Sequence, residues 1–169
     1  MICSDYKGIL KKLLYKRRMA ITLDEIDKHI LLHLQNQARL SMTDLGKLVG
    51  LSQPAVTERV KRMEEKGVIE EYRTVISSQK LGKQCTAYML VRTRNCYPFL
   101  DFCRSSPEVI ECSRISGEHN YLLKVLTETT QELEEFENRC DQFGTYTTLI
   151  VMSSPIAYKN LIEEANLLT

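Results

Sequence analysis

The sequence predicts an α+β protein with two units, an N-terminal winged helix-turn-helix domain and a C-terminal ferredoxin-like βαββαβ domain. Three observations predict it. Between Ser41 and Gly67 two helix-start signals stand either side of a glycine, the pattern of two helices joined by a tight turn. After residue 77 the apolar period shortens from helical spacing to alternation. The strands and helices that follow then read in the order βαββαβ. The boundaries expected are a basic extension over 1–21, the helix-turn-helix domain over 22–76 and a linker over 77–83. The ferredoxin-like domain covers 84–155 and a tail 156–169.

Composition sets the frame. A hydrophobic content of 43% and a charged content of 27% are those of an ordinary globular chain. No apolar run approaches the roughly 20 residues a spanning helix needs, so a cytoplasmic protein with no membrane partner is expected. Six cysteines (Cys3, Cys85, Cys96, Cys103, Cys112, Cys140) are scattered without a C-x-x-C pair, which argues for reduced thiols rather than metal knuckles or a redox motif. The net charge of +1 hides an asymmetry. Residues 1–78 hold 14 Lys/Arg against 10 Asp/Glu, and residues 79–169 hold 9 against 12. A basic front and an acidic back suggest that the front half meets a polyanion.

In chain order, residues 1–20 place Tyr6, Ile9, Leu10, Leu13 and Leu14 at helical spacing among six Lys/Arg. Charges interrupt the apolar run and no small-residue cleavage site follows, so a signal peptide is not expected. A basic amphipathic helix or an N-terminal extension remains, with Met19 as an alternative start. Thr22 and Glu25 read as a T-x-x-E capping box opening a helix to about Gln37, with Leu23, Ile26, Ile30 and Leu34 on one stripe. His29 and His33, at i, i+4, have metal-ligand spacing, but no third ligand stands near and no metal site is expected. Ser41 caps the next helix, which carries Leu45, Leu48 and Val49, and Gly50 ends it in the left-handed conformation. Ser52 caps the third helix and Pro54 sits in its first turn. Val56, Val60 and Met63 turn inward and Gly67 stops the helix. Opposite them, Pro54, Thr57, Glu58, Lys61 and Arg62 form a polar face. It suits a DNA major groove, or equally a plain solvated helix with Glu58 and Arg62 paired at i, i+4. VIEEYRTVI, residues 68–76, reads as the wing strand.

In the second half, 84–92, 109–116, 121–127 and 145–152 read as strands, with helices from Pro98 to Ser105 and after the Thr129/Glu132 cap. Two strands are apolar on both faces: Leu122 and Leu126 oppose Leu123 and Val125, and Ile150 and Met152 oppose Leu149 and Val151. Two helices cover only one face of a four-stranded sheet, so the other face is expected to meet a second chain. Residues 155–169 read either as a helix carrying Ile156, Lys159, Ile162 and Ala165 or as an edge strand.

Three stretches, LDEIDKHILLHLQNQARLS, LVGLSQPAVTERVKRMEEKGVIEEY and ISGEHNYLLKVL, resemble the Lrp/AsnC (leucine-responsive, feast-famine) family of transcription regulators. Together the likeness covers about residues 22–160. It implies a DNA-binding head, a ferredoxin-like domain that binds an amino-acid effector and forms homodimers and octamers, and no cofactor or catalytic residue. The family's DNA-binding segment falls on Met42–Lys61. With its flanks, the expected DNA-contacting residues are Arg39, Met42, Thr43, Lys47, Ser52, Gln53, Pro54, Ala55, Thr57, Glu58, Arg59, Lys61 and Arg62. Phosphate contacts are assigned to Arg39, Lys47, Lys61 and Arg62 and base readout to Gln53, Thr57 and Glu58. The family's effector loop, Gly-x-x-Asp-Tyr, falls on Gly117, Asn120 and Tyr121, with Glu118 and His119 between, and a final-strand threonine falls on Thr148. Two departures bear on the ligand. Asn120 replaces the aspartate, which removes a carboxylate that pairs with an ammonium group. The segment QFGTYTT is shorter than the family's and puts Tyr146 where a threonine is common. Two other functions fit the same layout. A siroheme-decarboxylase-like enzyme shares it, although here only His119 lies near the expected pocket. A protein that coats DNA with little sequence preference is the other.

Overall fold

The structure is a computed structural model that describes residues 22–163. Its head is three helices, α1 (Glu25–Asn36), α2 (Met42–Val49) and α3 (Gln53–Glu65). Helix α1 starts two residues later than Thr22 predicts. Asp24 is the N-cap, its carboxylate accepting from the Asp27 N–H at 2.8 Å, while Asp27 reaches back to the Asp24 N–H at 3.4 Å. The box is therefore D-x-x-D. Its second carboxylate, fully buried, does a further job described below. Ser41 caps α2 through the Asp44 N–H at 3.1 Å, and Gly50 takes φ 69°. Ser52 stands at the N-cap of α3, but its side chain makes no capping bond. Lys66 ends α3, followed by Gly67 at φ 69°. Ile30, Leu31, Leu34, Leu45, Val56, Val60 and Met63 close the core between the helices.

The wing strand expected over 68–76 does not form. The Val68 and Ile69 N–H groups both donate to the Met63 carbonyl, at 2.8 and 3.2 Å, and their side chains close the head core. Residues 70–76 then run exposed with no strand assigned, Val75 at 94%. β-branched composition describes fit to a pleated surface, and here no neighbouring strand supplies one.

In the second unit a 3₁₀ turn at Gln79–Leu81 precedes the sheet. There β1 (Cys85–Thr93), β2 (Val109–Arg114), β3 (Tyr121–Thr127) and β4 (Gly144–Ile150) form an antiparallel sheet in the order β2-β3-β1-β4. Helices α4 (Cys96–Ser105) and α5 (Thr130–Cys140) complete the βαββαβ order. Thr129 caps α5 through the Glu132 N–H, as expected. The core lies between the helices and the inward residues Ala87, Met89, Val91, Leu123 and Val125, with Phe99, Leu133 and Phe136 from α4 and α5. The alternate residues of β1 and β3 (Thr86, Tyr88, Leu90, Leu122, Lys124, Leu126) are half-buried on the other face, which no helix of this unit covers. Strand β4 ends at Ile150, short of the predicted Met152, and Leu149 lies half-exposed on that same face.

The described residues divide into 22–74 with 158–163, and 75–157. The tail is neither the helix nor the edge strand anticipated up to Glu163. Its bends dock on α1, where Gln35 Oε1 accepts from the Leu161 N–H at 2.8 Å and Ile162 joins the head core. The basic extension, residues 1–21, lies outside the described residues.

Candidate nucleic-acid interface and effector site

The turn between α2 and α3 is set by a glycine the sequence reading passed over. Gly46 is buried inside α2, and a Cβ there would lie 2.7 Å from the Leu51 carbonyl oxygen. That carbonyl is backbone, so the two helices approach this closely only over glycine. The Leu51 N–H donates to the Gly46 carbonyl at 2.8 Å, which fixes the turn.

Helix α3 then presents its N-terminal turn outward. Ser52, Gln53, Pro54, Glu58 and Lys61 are exposed, and Ala55 and Thr57 are half-buried. Because Ser52 does not cap them, the first-turn N–H groups have no side-chain acceptor from their own N-cap. Such groups, at the positive end of a helix dipole, suit an anion. Gln53 and Thr57 are linked: the Thr57 hydroxyl donates to the Gln53 carbonyl at 2.7 Å and accepts from Gln53 Nε2 at 3.2 Å. On α2, Thr43 is exposed, Met42 packs against the core, and exposed Lys47 pairs with Asp44 at 3.2 Å. Arg39 is exposed ahead of α2.

Two of the expected contacts have a different primary partner. Arg59 binds Asp24 at 2.6 Å and Asp27 at 2.8 Å, and Arg62 binds Asp27 at 2.6 Å. The Asp27 side chain is 1% exposed. These ion pairs clamp α3 to the first turn of α1. The Arg59 hydrogen bond is the main reason the Asp24 carboxyl sits below its ordinary pKa, and the Asp27 N–H adds to it. Arg62 does not pair with Glu58. Lys61 faces Glu65 at 3.7 Å. The charge asymmetry also moves. Residues 22–78 carry 8 Lys/Arg and 9 Asp/Glu, so the front half's excess of positive charge resides in 1–21, with 6 Lys/Arg and one Asp.

In the second unit the loop Ile115–Asn120 joins β2 to β3. Gly117 is exposed at φ 132°, Glu118 is exposed, and His119 is half-buried. Asn120 is committed to the sheet. Its side-chain N–H donates to the Thr93 carbonyl at 2.8 Å and its Oδ1 accepts from the Thr93 N–H at 3.0 Å, so the amide extends β1 as a strand would. A carboxylate offers only acceptors and cannot make both bonds. The family's aspartate is therefore not merely missing here; its place is taken by an amide with a structural task. Tyr121 is 2% exposed, against Phe99 at 5.0 Å between ring centroids. Burial, with a hydrogen bond to Cys96, pushes its phenol up to about 12.

Thr148 pairs with Met89 across β1 and faces the helix-covered side, as Tyr121 does opposite Val91. Its hydroxyl oxygen is buried and meets no partner among the described residues. Strand spacing puts the Tyr121 and Thr148 Cα atoms about 12 Å apart, with β1 between. Tyr121 and Thr148 are therefore not direct neighbours on the sheet. Two clefts occur elsewhere: one of about 290 Å³ between α4 and β2, and one of about 340 Å³ lined by Arg92, Arg94, Asn95, Phe143, Gly144 and Thr145. Neither is lined by Gly117–Tyr121 or Thr148. Among the described residues no group of three His, Cys, Asp or Glu could hold a metal, and no helix is long and apolar enough to cross a membrane.

A glycine-pinned helix-turn-helix with an outward α3, followed by a ferredoxin-like domain, defines a DNA-binding transcriptional regulator with a ligand-responsive second domain. The AsnC-type helix-turn-helix domain matches residues 23–64, and the Lrp/AsnC ligand binding domain matches 86–161. The HTH-type transcriptional regulator YezC of Bacillus subtilis is 45% identical over 132 residues, 78% of this chain and 95% of that protein. The structure of B. subtilis LrpC superposes with a TM-score of 0.77 at 31% identity, over 82% of this chain and all of that one. A transcriptional regulator of Neisseria meningitidis, solved as an L-methionine complex, shares the fold at 24% identity and a TM-score of 0.74, over 88% of this chain and all of that one. The chain belongs to the Lrp/AsnC family of transcriptional regulators.

Proposed function

We propose that the chain binds double-stranded DNA in the cytoplasm as a homodimer and changes that binding when an amino acid occupies its second domain. The observation that carries the DNA reading is the exposed, uncapped first turn of α3, held rigidly by Gly46 and the Asp27 clamp. Gln53, Thr57 and Glu58 read base edges, and the α3 amide groups with Lys61, Lys47 and Arg39 take phosphates. Arg59 and Arg62 act first as the clamp. The helix-free face of the sheet, with Leu90, Leu122, Leu126 and Leu149, supports pairing with a second copy.

The amino-acid reading rests on the ligand-binding domain match and on the methionine complex of the Neisseria regulator. Gly117–Tyr121 and the unpaired Thr148 hydroxyl take the effector. With Asn120 tied to Thr93, the effector's ammonium group finds backbone carbonyls rather than a carboxylate at this loop. The test is thermal unfolding of the pure protein against each of the twenty amino acids. A true effector raises the midpoint with its concentration by mass action. If no amino acid shifts it, the effector reading fails and the DNA reading stands.

A further inference from the structure

The sequence has no paired-cysteine motif, yet the fold makes one. Cys103 is on the sheet-facing side of α4, and Cys112 is on the helix-facing side of β2, opposite Leu123. Both line the cleft of about 290 Å³ between these elements. The two thiols are near enough to perturb one another, Cys103 holding its proton more tightly and Cys112 less. Cys103 is 6% exposed, whereas Cys112 lies on the exposed edge strand. We propose that Cys103 and Cys112 form a modification site at which a peroxide converts the pair to an intramolecular disulfide joining α4 to β2. This goes beyond the DNA and effector reading and does not depend on it.

The division of labour follows from the surroundings. The neighbouring Cys103 is the main stabiliser of the Cys112 thiolate, and the Arg104 guanidinium, itself paired with Asp101 at 2.7 Å, adds to it. Glu111, on the same cleft, is paired with Lys124 at 3.4 Å. Cys112 is thus below the ordinary thiol value and Cys103 above it. Cys140, buried and pushed up to about 11 chiefly by that burial, is a poor competitor. In the first step the Cys112 thiolate attacks one peroxide oxygen, an S–O bond forms, the O–O bond breaks and hydroxide leaves. The Cys103 sulfur then attacks the Cys112 sulfenic acid. The S–S bond forms as the S–O bond breaks, and the departing hydroxide takes the Cys103 proton as water. Two thiols and one hydrogen peroxide give one disulfide and two waters, with two electrons passing to the peroxide. A small-molecule thiol reverses the reaction by exchange.

The experiment treats the reduced full-length chain with hydrogen peroxide, blocks the remaining thiols and maps linkages by peptide mass spectrometry without reduction. The expected result is one Cys103–Cys112 linkage within a chain, loss of two thiols, and full recovery with dithiothreitol. Cys112 should react about tenfold faster than Cys85 or Cys140. In Cys112→Ser, which changes an exposed edge position, the linkage and the fast loss disappear. In Cys103→Ser, Cys112 should stop at a sulfenic acid that dimedone captures; if that core variant does not fold, Cys112→Ser decides alone. Conversion of Cys112 to sulfinic acid beside an intact Cys103 thiol would overturn the proposal. So would linkages among other cysteines or between chains, or equal reaction rates at all sites.

Discussion

Replacing Asp27 with alanine should destabilise the head by about 2–3 kcal/mol. Its side chain is 1% exposed and accepts from two guanidiniums, Arg59 at 2.8 Å and Arg62 at 2.6 Å. Each hydrogen bond to a charged group contributes about 1.5–3 kcal/mol net, and breaking a buried pair from one side costs about 3–5 kcal/mol. Those figures need discounting, because the Arg59 and Arg62 side chains are 26% and 41% exposed and recover hydration when released. Arg59 also keeps Asp24 at 2.6 Å, a partner half in water. About half the gross value survives, which in a domain this small lowers the thermal midpoint by roughly 10–20 °C. Urea unfolding followed by helical circular dichroism measures it. A loss below about 0.5 kcal/mol, within the range of an ordinary surface substitution, would refute the clamp. Arg62→Ala sharpens the test: the account predicts lost stability before lost DNA affinity. An Arg62→Ala variant with unchanged stability and weakened DNA binding would move Arg62 from the clamp to the interface.

Gly46→Ala puts a methyl group 2.7 Å from the Leu51 carbonyl, so α2 and α3 must part, costing about 1–3 kcal/mol and distorting the recognition turn; calorimetry with a DNA-binding assay reads both. Asn120→Asp removes the donor to the Thr93 carbonyl and sets a carboxylate against it, a loss of about 1–3 kcal/mol in the second unit, measured by chemical denaturation. Deleting residues 1–18 removes six Lys/Arg. If they meet phosphates, the slope of log affinity against log salt falls by up to about 5, while specificity for a preferred site is kept.

Much of this architecture was readable in advance where local chemistry and packing agree. Ser41, Gly50, Gly67 and the Thr129 cap stand where the sequence put them, because each satisfies a backbone need within its own helix. The alternation Tyr121, Leu123, Val125 against Leu122 and Leu126 separated the two sheet faces for the same reason. What was misread depends on distant partners. Thr22 and Asp24 are equally good caps by composition, and the choice falls to Asp24 because Asp27 is wanted by Arg59 and Arg62 some thirty residues on. The wing strand failed for want of a neighbour, not of propensity. Asn120 read as a loss of charge, when its meaning lay in the Thr93 backbone across the sheet. The tail could not be assigned because its partner, Gln35, lies on α1.

The central claim is that the exposed first turn of α3 reads DNA sequence. Selecting duplexes from a random pool with the full-length protein, then comparing affinities for selected and random DNA at one salt concentration, tests it directly. The account predicts two half-sites about one helical turn, ~34 Å, apart and a preference of at least about 10³ over random DNA. In the Gln53→Ala, Thr57→Ala double variant that preference should fall at least about thirtyfold, while binding to random DNA stays within about twofold. No enriched sequence, or a double variant that prefers the selected site as strongly as the parent, would contradict it.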